Sequence, residues 1–377
     1  MKAKLFLLFL ALSATVFNSC DNAEVPLDLP VVSGLSSFSL KYDDVLTITG
    51  ANFDPVATNN TVTINGVTAT ITGATTNSLI VNVPAVGNTT ANVVVKTSKG
   101  SVTGGTITYT PDIFVAGYES NGTKDVAKYW KNGTVVALTD GTKGASAISI
   151  FINGGDIYVA GYESNGTKYV AKYWKNRLAV ALSDGTTDSY TKSIFVNGAD
   201  IYVAGYEDIG INSLPKYWKN GTEVVLSDGL KDANAHSIFV KDNDIYVAGT
   251  GPGTDANSVT YSAKYWKNGT AVVLTDGIKR GGAASIFVKD NDIYVAGEEF
   301  NGTKNVAKYW KNGTAVALTD GTKSAGAKSI FVNGSDIYVA GVEFNGMLWV
   351  PKYWKNGIAV ALTDGTKSAS AYSIFVR

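Results

Sequence analysis

The chain has 377 residues, enough for two or three domains, and its 32 basic and 32 acidic side chains cancel. That balance excludes the electrostatic footprint of nucleic-acid binding or of adsorption to an anionic membrane surface. Forty glycines, 20 tyrosines and short runs of Thr, Val, Ile and Tyr between Asn-Gly and Asp-Gly pairs read as an all-β chain.

Residues 1–19 begin with basic Met1-Lys2-Ala3-Lys4, continue through an apolar stretch from Leu5 to Phe17, and end at Cys20, the single cysteine. The apolar stretch suits a secretory signal and is too short for a permanent membrane span. One cysteine allows no disulfide within the chain. A signal that ends at the only Cys resembles a bacterial lipoprotein signal. The resemblance implies cleavage before Cys20, lipidation of its thiol and new amino group, and export to the outer membrane on its periplasmic or surface side. Two or more acyl chains anchor stably where one does not. Residues 20–28 read as a polar tether.

Residues 29–111 carry β-branched or alternating runs at Val45–Thr49, Thr61–Ile64, Thr68–Ile71, Ser78–Val83 and Ala91–Lys96, with turns such as Asn65-Gly66 between them. That density of short strands predicts a β-sandwich. In order, Leu46-Thr47-Ile48-Thr49-Gly50-Ala51-Asn52-Phe53, Val62-Thr63-Ile64-Asn65-Gly66-Val67, Val83-Pro84-Ala85 and Thr106-Ile107-Thr108-Tyr109 resemble an IPT/TIG domain. The resemblance implies an immunoglobulin-like spacer or interaction module without catalytic machinery.

Residues 112–377 repeat. Asp-Ile-Tyr-Val-Ala-Gly begins at Asp112 (with Phe114 for Tyr), Asp156, Asp200, Asp244, Asp292 and Asp336, a period of 44 residues broken once by 48. Lys-Tyr-Trp-Lys-Asn begins at Lys128, Lys172, Lys216, Lys264, Lys308 and Lys352, and Ser-Ile-Phe-Val at Ser149 (with Ile152 for Val), Ser193, Ser237, Ser285, Ser329 and Ser373. A β-only period of this size predicts propeller blades of four strands, a to d, rather than a helical solenoid. The first repeat lacks strand a, and the chain ends on an orphan copy of it. If that copy completes the first repeat, both unpaired edges vanish. The expected architecture is therefore an immunoglobulin-like β-sandwich (IPT/TIG) plus a closed six-bladed β-propeller of four-stranded blades. The chain resembles the broad group of bacterial β-propeller repeat proteins.

The repeated residues read as construction. The six strand-c tryptophans fill the space between blades. The Asp of each Thr/Ser-Asp-Gly bonds its own turn, because one carboxylate without acidic companions makes a poor calcium site. The glutamates Glu119, Glu163, Glu207, Glu299 and Glu343, absent only where Gly251 stands, pair with a lysine on the adjoining strand. His236 is the only histidine, and Arg177, Arg280 and Arg377 are the only arginines. No His/Cys metal spacing or Ser-His-Asp set can be assembled from these, so no cofactor is expected.

The b–c and d–a connections vary between repeats, and up-and-down topology puts both on one face. Variable loops on a rigid scaffold are where binding specificity is built. On that face Tyr169, Tyr261, Trp349 and Tyr372 are the candidate stacking platforms, and Lys192, His236 and Lys328 the candidate polar contacts. The expected function is a membrane-anchored binding module for a glycan, a peptide or a protein partner. The alternatives are an adhesive scaffold without a small-molecule site and a carboxylate-dependent, glycan-active enzyme.

Overall fold

A computed structural model describes residues 28–84, 86, 90–110, 112–253, 260–276 and 279–376. The signal, Cys20 and nearly all of the 20–28 tether lie outside the described residues. Two compact units divide the chain, 1–110 and 111–377.

The first unit is a sandwich of two sheets. One orders β1 (Val31–Leu35), β3 (Val45–Ala51), β7 (Ser78–Asn82) and β6 (Thr70–Ala74). The other orders β2 (Ser39–Leu40), β9 (Gly100–Tyr109), β8 (Thr90–Thr97), β4 (Thr61–Ile64) and β5 (Val67–Thr68). Alternation decides the core: every second residue of β3, β4, β7 and β8 is buried. Cross-strand pairs Leu46–Val81, Ile48–Leu79, Val62–Val95 and Ile64–Val93 then set the register, since a one-residue slip would expose the whole set.

The second unit is six antiparallel sheets, one per repeat. Among the described residues the first has three strands, Phe114–Ser120, Asp125–Lys131 and Thr134–Ala137. The other five have four, as in Ser189–Asn197, Asp200–Asp208, Ser213–Lys219 and Thr222–Val225. Strand a starts about four residues before the Ser-Ile-Phe-Val motif, because pairing continues past a one-residue bulge described below.

Each repeated residue has a structural partner. The Asp that opens strand b accepts from the Lys and Asn that close strand c, as Asp200 does from Lys219 at 2.9 Å and Asn220 at 2.8 Å. Those bonds hold its carboxyl below the usual carboxylate range. The Asn-Gly hairpin turn takes two positive φ angles, 51° at Asn220 and 85° at Gly221. The Ser of Ser-Ile-Phe-Val ties one sheet to the next: Ile194 N–H donates to Ser149 Oγ at 3.2 Å, and the bond recurs through Ile374 and Ser329 at 3.1 Å. Phe151, Phe195, Phe239, Phe287, Phe331 and Phe375 stack in sequence, with centroids 4.7 to 5.0 Å apart.

Five apolar cores lie between the six sheets. In the core between the second and third sheets, Tyr158, Ala160, Ala171, Tyr173 and Leu182 meet Ile194, Val196, Val203 and Trp218. Trp174, Trp218, Trp266, Trp310 and Trp354 are buried, each as filler between two sheets. Trp130 is only half-buried, since among the described residues of the repeat unit no sheet precedes its own. The two ends are uncovered in the same way: Val115 is 51% exposed where Val159 is 1%, and Leu362 is 53% exposed where Leu182 is 8%. Residues 370–376 form no ladder with Phe114–Ser120 among the described residues.

Candidate functional site

The position that varies just before each Ser-Ile-Phe-Val motif is a β-bulge. In the third repeat Thr191 pairs with Gly205 and Ser193 with Ala204, which leaves Lys192 without an opposite residue. Ile148, His236, Ala284 and Lys328 occupy the same place in their strands. A bulge re-aims its extra side chain, and glycine makes this one possible. A Cβ on Gly205 would lie 2.0 Å from the Tyr190 carbonyl oxygen, and the equivalent glycines are as tight. The glycine of Ala-Gly is therefore a packing requirement of the bulge.

Past the bulge, strand a pairs with the end of strand b as Ser146–Tyr162, Tyr190–Tyr206, Asn234–Thr250, Gly282–Glu298 and Gly326–Val342. These pairs differ in every repeat, and so do their surroundings.

In the second and third repeats the pairs build a tyrosine cluster. Tyr162 meets Tyr169 edge-on at 5.2 Å and Tyr190 at 5.0 Å, and Tyr190 lies 5.3 Å from Tyr206. The Lys192 ammonium sits 5.4 Å from the centroid of the Tyr206 ring. Burial and the carboxylates of Asp188 and Asp208 push the Tyr190 hydroxyl up to about 12. Tyr169, partly exposed, also borders a shallow cleft of about 310 Å³ with Lys124 and Asp125 of the preceding repeat.

In the fourth and fifth repeats small residues open the surface. Gly281, Gly282, Ala283 and Ala284 carry almost no side-chain volume where the neighbouring strands carry Tyr190, Asn234 and His236. Two clefts result, and they share Thr250, Gly282 and Glu298. One, of about 370 Å³, is lined by Asp232, Asn234, Tyr261, Arg280 and Asn305. The other, of about 320 Å³, is lined by His236, Ala284, Ala327 and Lys328.

The polar groups of the joined cleft are held in place. Tyr261 hydrogen-bonds Asp232, which raises the tyrosine's pKa, and Asp232 also accepts the Ser213 N–H at 2.7 Å. Asn305 donates to Glu298 at 3.0 Å, and Lys328 lies 3.9 Å from the other Glu298 oxygen. Arg280 lies over the Phe300 ring at 5.8 Å. Burial drives the His236 imidazole down to about 4, and the positive charges of Lys192 and Lys328 push the same way. His236 is thus neutral at pH 7. Burial also lowers the Lys192 ammonium from its ordinary value, and Lys192 forms no ion pair among the described residues.

Of the residues that sequence singled out, Tyr261, His236 and Lys328 line the joined cleft, Lys192 bears on it through His236, and Tyr169 lies in the adjoining tyrosine cluster. Trp349 packs on Phe344 at 5.5 Å in the last sheet, and Tyr372 is exposed in the C-terminal segment; neither lines the joined cleft. Sequence reasoning missed Asp232, Tyr190, Arg280, Glu298 and Asn305. The signal for Glu298 was its place, where the second and third repeats carry Tyr162 and Tyr206.

The glutamates past Ala-Gly all pair on the adjoining strand: Glu119 with Lys128, Glu163 with Lys172 at 2.6 Å, Glu207 with Lys216, Glu299 with Lys308 and Glu343 with Lys352. In the fourth repeat, where Gly251 replaces the acid, Lys264 donates to the Pro252 carbonyl at 2.7 Å. The turn aspartates bond their own turns, as Asp184 accepts both the N–H and the hydroxyl of Thr186. Among the described residues no cluster of three His, Cys, Asp or Glu side chains could hold a metal ion.

The sandwich carries the buried alternation and the Asn65-Gly66 hairpin expected of it, and residues 30–110 match the IPT/TIG domain family. Residues 30–110 form an IPT/TIG domain. Beyond it, the chain is similar to a structural genomics protein of unknown function from Bacteroides thetaiotaomicron, with 11% identity and a TM-score of 0.52 over 92% of this chain and 93% of that one. An auxiliary nutrient binding protein from the same organism aligns with 12% identity and a TM-score of 0.32, over 88% of this chain and 85% of that one. At such identity the first likeness speaks to fold alone. No curated protein matches the chain.

Proposed function

We propose that the IPT/TIG domain and the six sheets form a lipid-anchored binding protein, exported and held at the outer membrane through Cys20, whose repeat unit closes into a six-bladed propeller. The ligand is a glycan, bound at the face of variable connections. One observation carries the binding reading. Two clefts meet around Gly282 and Glu298, where strand a carries glycine and alanine in place of the larger residues of its neighbours. Hydrogen bonds hold Asp232, Glu298, Asn305 and Tyr261 around a glycine floor, a preset arrangement of polar groups that suits a ligand.

The closed ring is supported by what its ends leave open. Each existing core joins Tyr, Ala, Tyr and Leu of one sheet to Ile, Val, Val and Trp of the next. The last sheet still offers Tyr338, Ala340, Tyr353 and Leu362, and the chain still offers Ile374, Val376, Val115 and Trp130. Pairing these sets makes a sixth core and gives the first sheet its missing strand.

A glycan array probed with the full chain tests the binding reading, with Tyr261→Ala and Glu298→Ala as comparisons. Binding that both substitutions weaken, with circular dichroism unchanged, is the expected result. Binding that neither substitution affects would move the site elsewhere, and no binding at all would leave a scaffold. A Cys20→Ser variant should shift the protein from the membrane to the soluble fraction.

A further inference from the structure

Three strand-a bulges, at His236, Ala284 and Lys328, line the joined cleft, and Lys192 stands on the equivalent bulge of the repeat before His236, where its charge acts on the imidazole. Lys192, His236 and Lys328 come from the third, fourth and sixth repeats, while the fifth contributes Ala284 and so leaves room between them. His236 faces the cleft beside Lys328, and both ammonium groups act on its ring. Among the described residues the cleft lining carries Lys328 and Arg280 against the carboxylates of Asp232 and Glu298, and Lys192 adds a further positive charge from the neighbouring bulge. The acids are already engaged: Asp232 accepts from Tyr261 and Ser213, and Glu298 from Asn305 with Lys328 nearby. Lys192 has only the face of Tyr206 as its partner. An ammonium partly withdrawn from water without a carboxylate is a standing cost that an anionic ligand group would relieve.

The remainder of the lining fixes the kind of molecule. The cleft offers amide, hydroxyl and carboxylate groups over a glycine floor, with the ring of Tyr261 at one side and the tyrosine cluster near Lys192. A large apolar peptide side chain would find only Ala283, Ala284 and Ala327 to pack on, whereas sugar hydroxyls would find donors and acceptors along Asp232, Asn234, Glu298 and Asn305. Building on the binding function proposed above, we infer that the joined cleft takes an acidic sugar of a glycan, with its carboxylate seated over His236 between the Lys192 and Lys328 ammonium groups and its ring toward Tyr261. The site is a carboxylate subsite on a glycan-binding face.

The test is isothermal titration of the full chain with oligosaccharides of galacturonate or glucuronate, against the neutral galactose or glucose oligosaccharides of the same length. The acidic series should bind about tenfold or more tightly, the scale of one desolvated charge-assisted contact. Lys192→Met and Lys328→Met should each erase most of that preference by weakening the acidic series far more than the neutral one, and Lys192→Arg should retain it. Tyr261→Ala should weaken both series alike. Equal binding of acidic and neutral sugars, or an equal loss of both in the Met variants, would overturn the carboxylate subsite while the glycan-binding reading stands. No binding of either series would overturn both. If a Met variant fails to fold, Lys192→Arg and the comparison of the two series on the unaltered protein still decide the matter.

Discussion

Ile374 donates its N–H to Ser329 Oγ at 3.1 Å, the bond that Ile330 makes to Ser285 and Ile194 makes to Ser149 at 3.2 Å. The last residues of the chain therefore sit where a further strand a would begin. Among the described residues of the repeat unit, only the first sheet lacks a strand a. If the ring closes there, Trp130 becomes as buried as Trp218. Trp130→Ala should then cost roughly 3–5 kcal/mol in urea denaturation, as Trp218→Ala should. A loss below about 1 kcal/mol at Trp130 alone would mean that the array stays open.

Much of this unit was legible because six copies of each motif reveal which residues the fold needs. Asp200, Lys219 and Asn220 recur because they stitch strands b and c, and Ser193 recurs because it bonds the next sheet. The bulge was not legible. Lys192 reads as an ordinary residue before a strand until its lack of an opposite partner is seen, and that depends on strands so close that a Cβ on Gly205 would lie 2.0 Å from the Tyr190 carbonyl oxygen. The cleft was hidden for a different reason. It exists because Gly281 and Gly282 lack side chains, and an absence of volume carries no motif. Glu298 drew no notice because its neighbour Glu299 occupies the position that pairs with lysine in five repeats.

The Asn176-Arg177 turn departs from the Asn-Gly of the other repeats. Arg177 holds a φ of 74°, in the left-handed region where a side chain costs about 1 kcal/mol or more. Arg177→Gly should stabilise the protein by about 1 kcal/mol, visible as a higher thermal midpoint. An unchanged or lower midpoint would show that the arginine makes compensating contacts.

Two chemically identical pairs should differ in their contribution. The Lys216 side chain is 4% exposed and meets both Glu207 and Glu223, whereas the Glu119 partner of Lys128 is 61% exposed. Removing one partner of a buried pair strands the other charge, and Lys216→Met should cost about 2–4 kcal/mol. Lys128→Met should cost about 1 kcal/mol or less, because water already screens that pair. Urea midpoints of the two variants should separate clearly, and equal midpoints would mean that burial of Lys216 does not govern its contribution.

His236 should make the fold sensitive to acid. Its folded pKa is about 4 against an ordinary 6.5, so between those limits the unfolded chain binds a proton that the folded chain refuses. Stability from this group is complete above pH 6.5 and falls as the pH drops toward 4. At pH 4.5 the loss should amount to roughly 2–3 kcal/mol. His236→Gln removes the titration while keeping a polar side chain. The drop in unfolding free energy between pH 7 and pH 4.5 should therefore be smaller in the variant by that amount. Carboxylates such as Asp184 and Asp200, held low by their own bonds, lose their contribution in both proteins and cancel in the difference. Equal pH slopes would mean that the partly exposed imidazole is solvated well enough to titrate alike in the folded and unfolded chain.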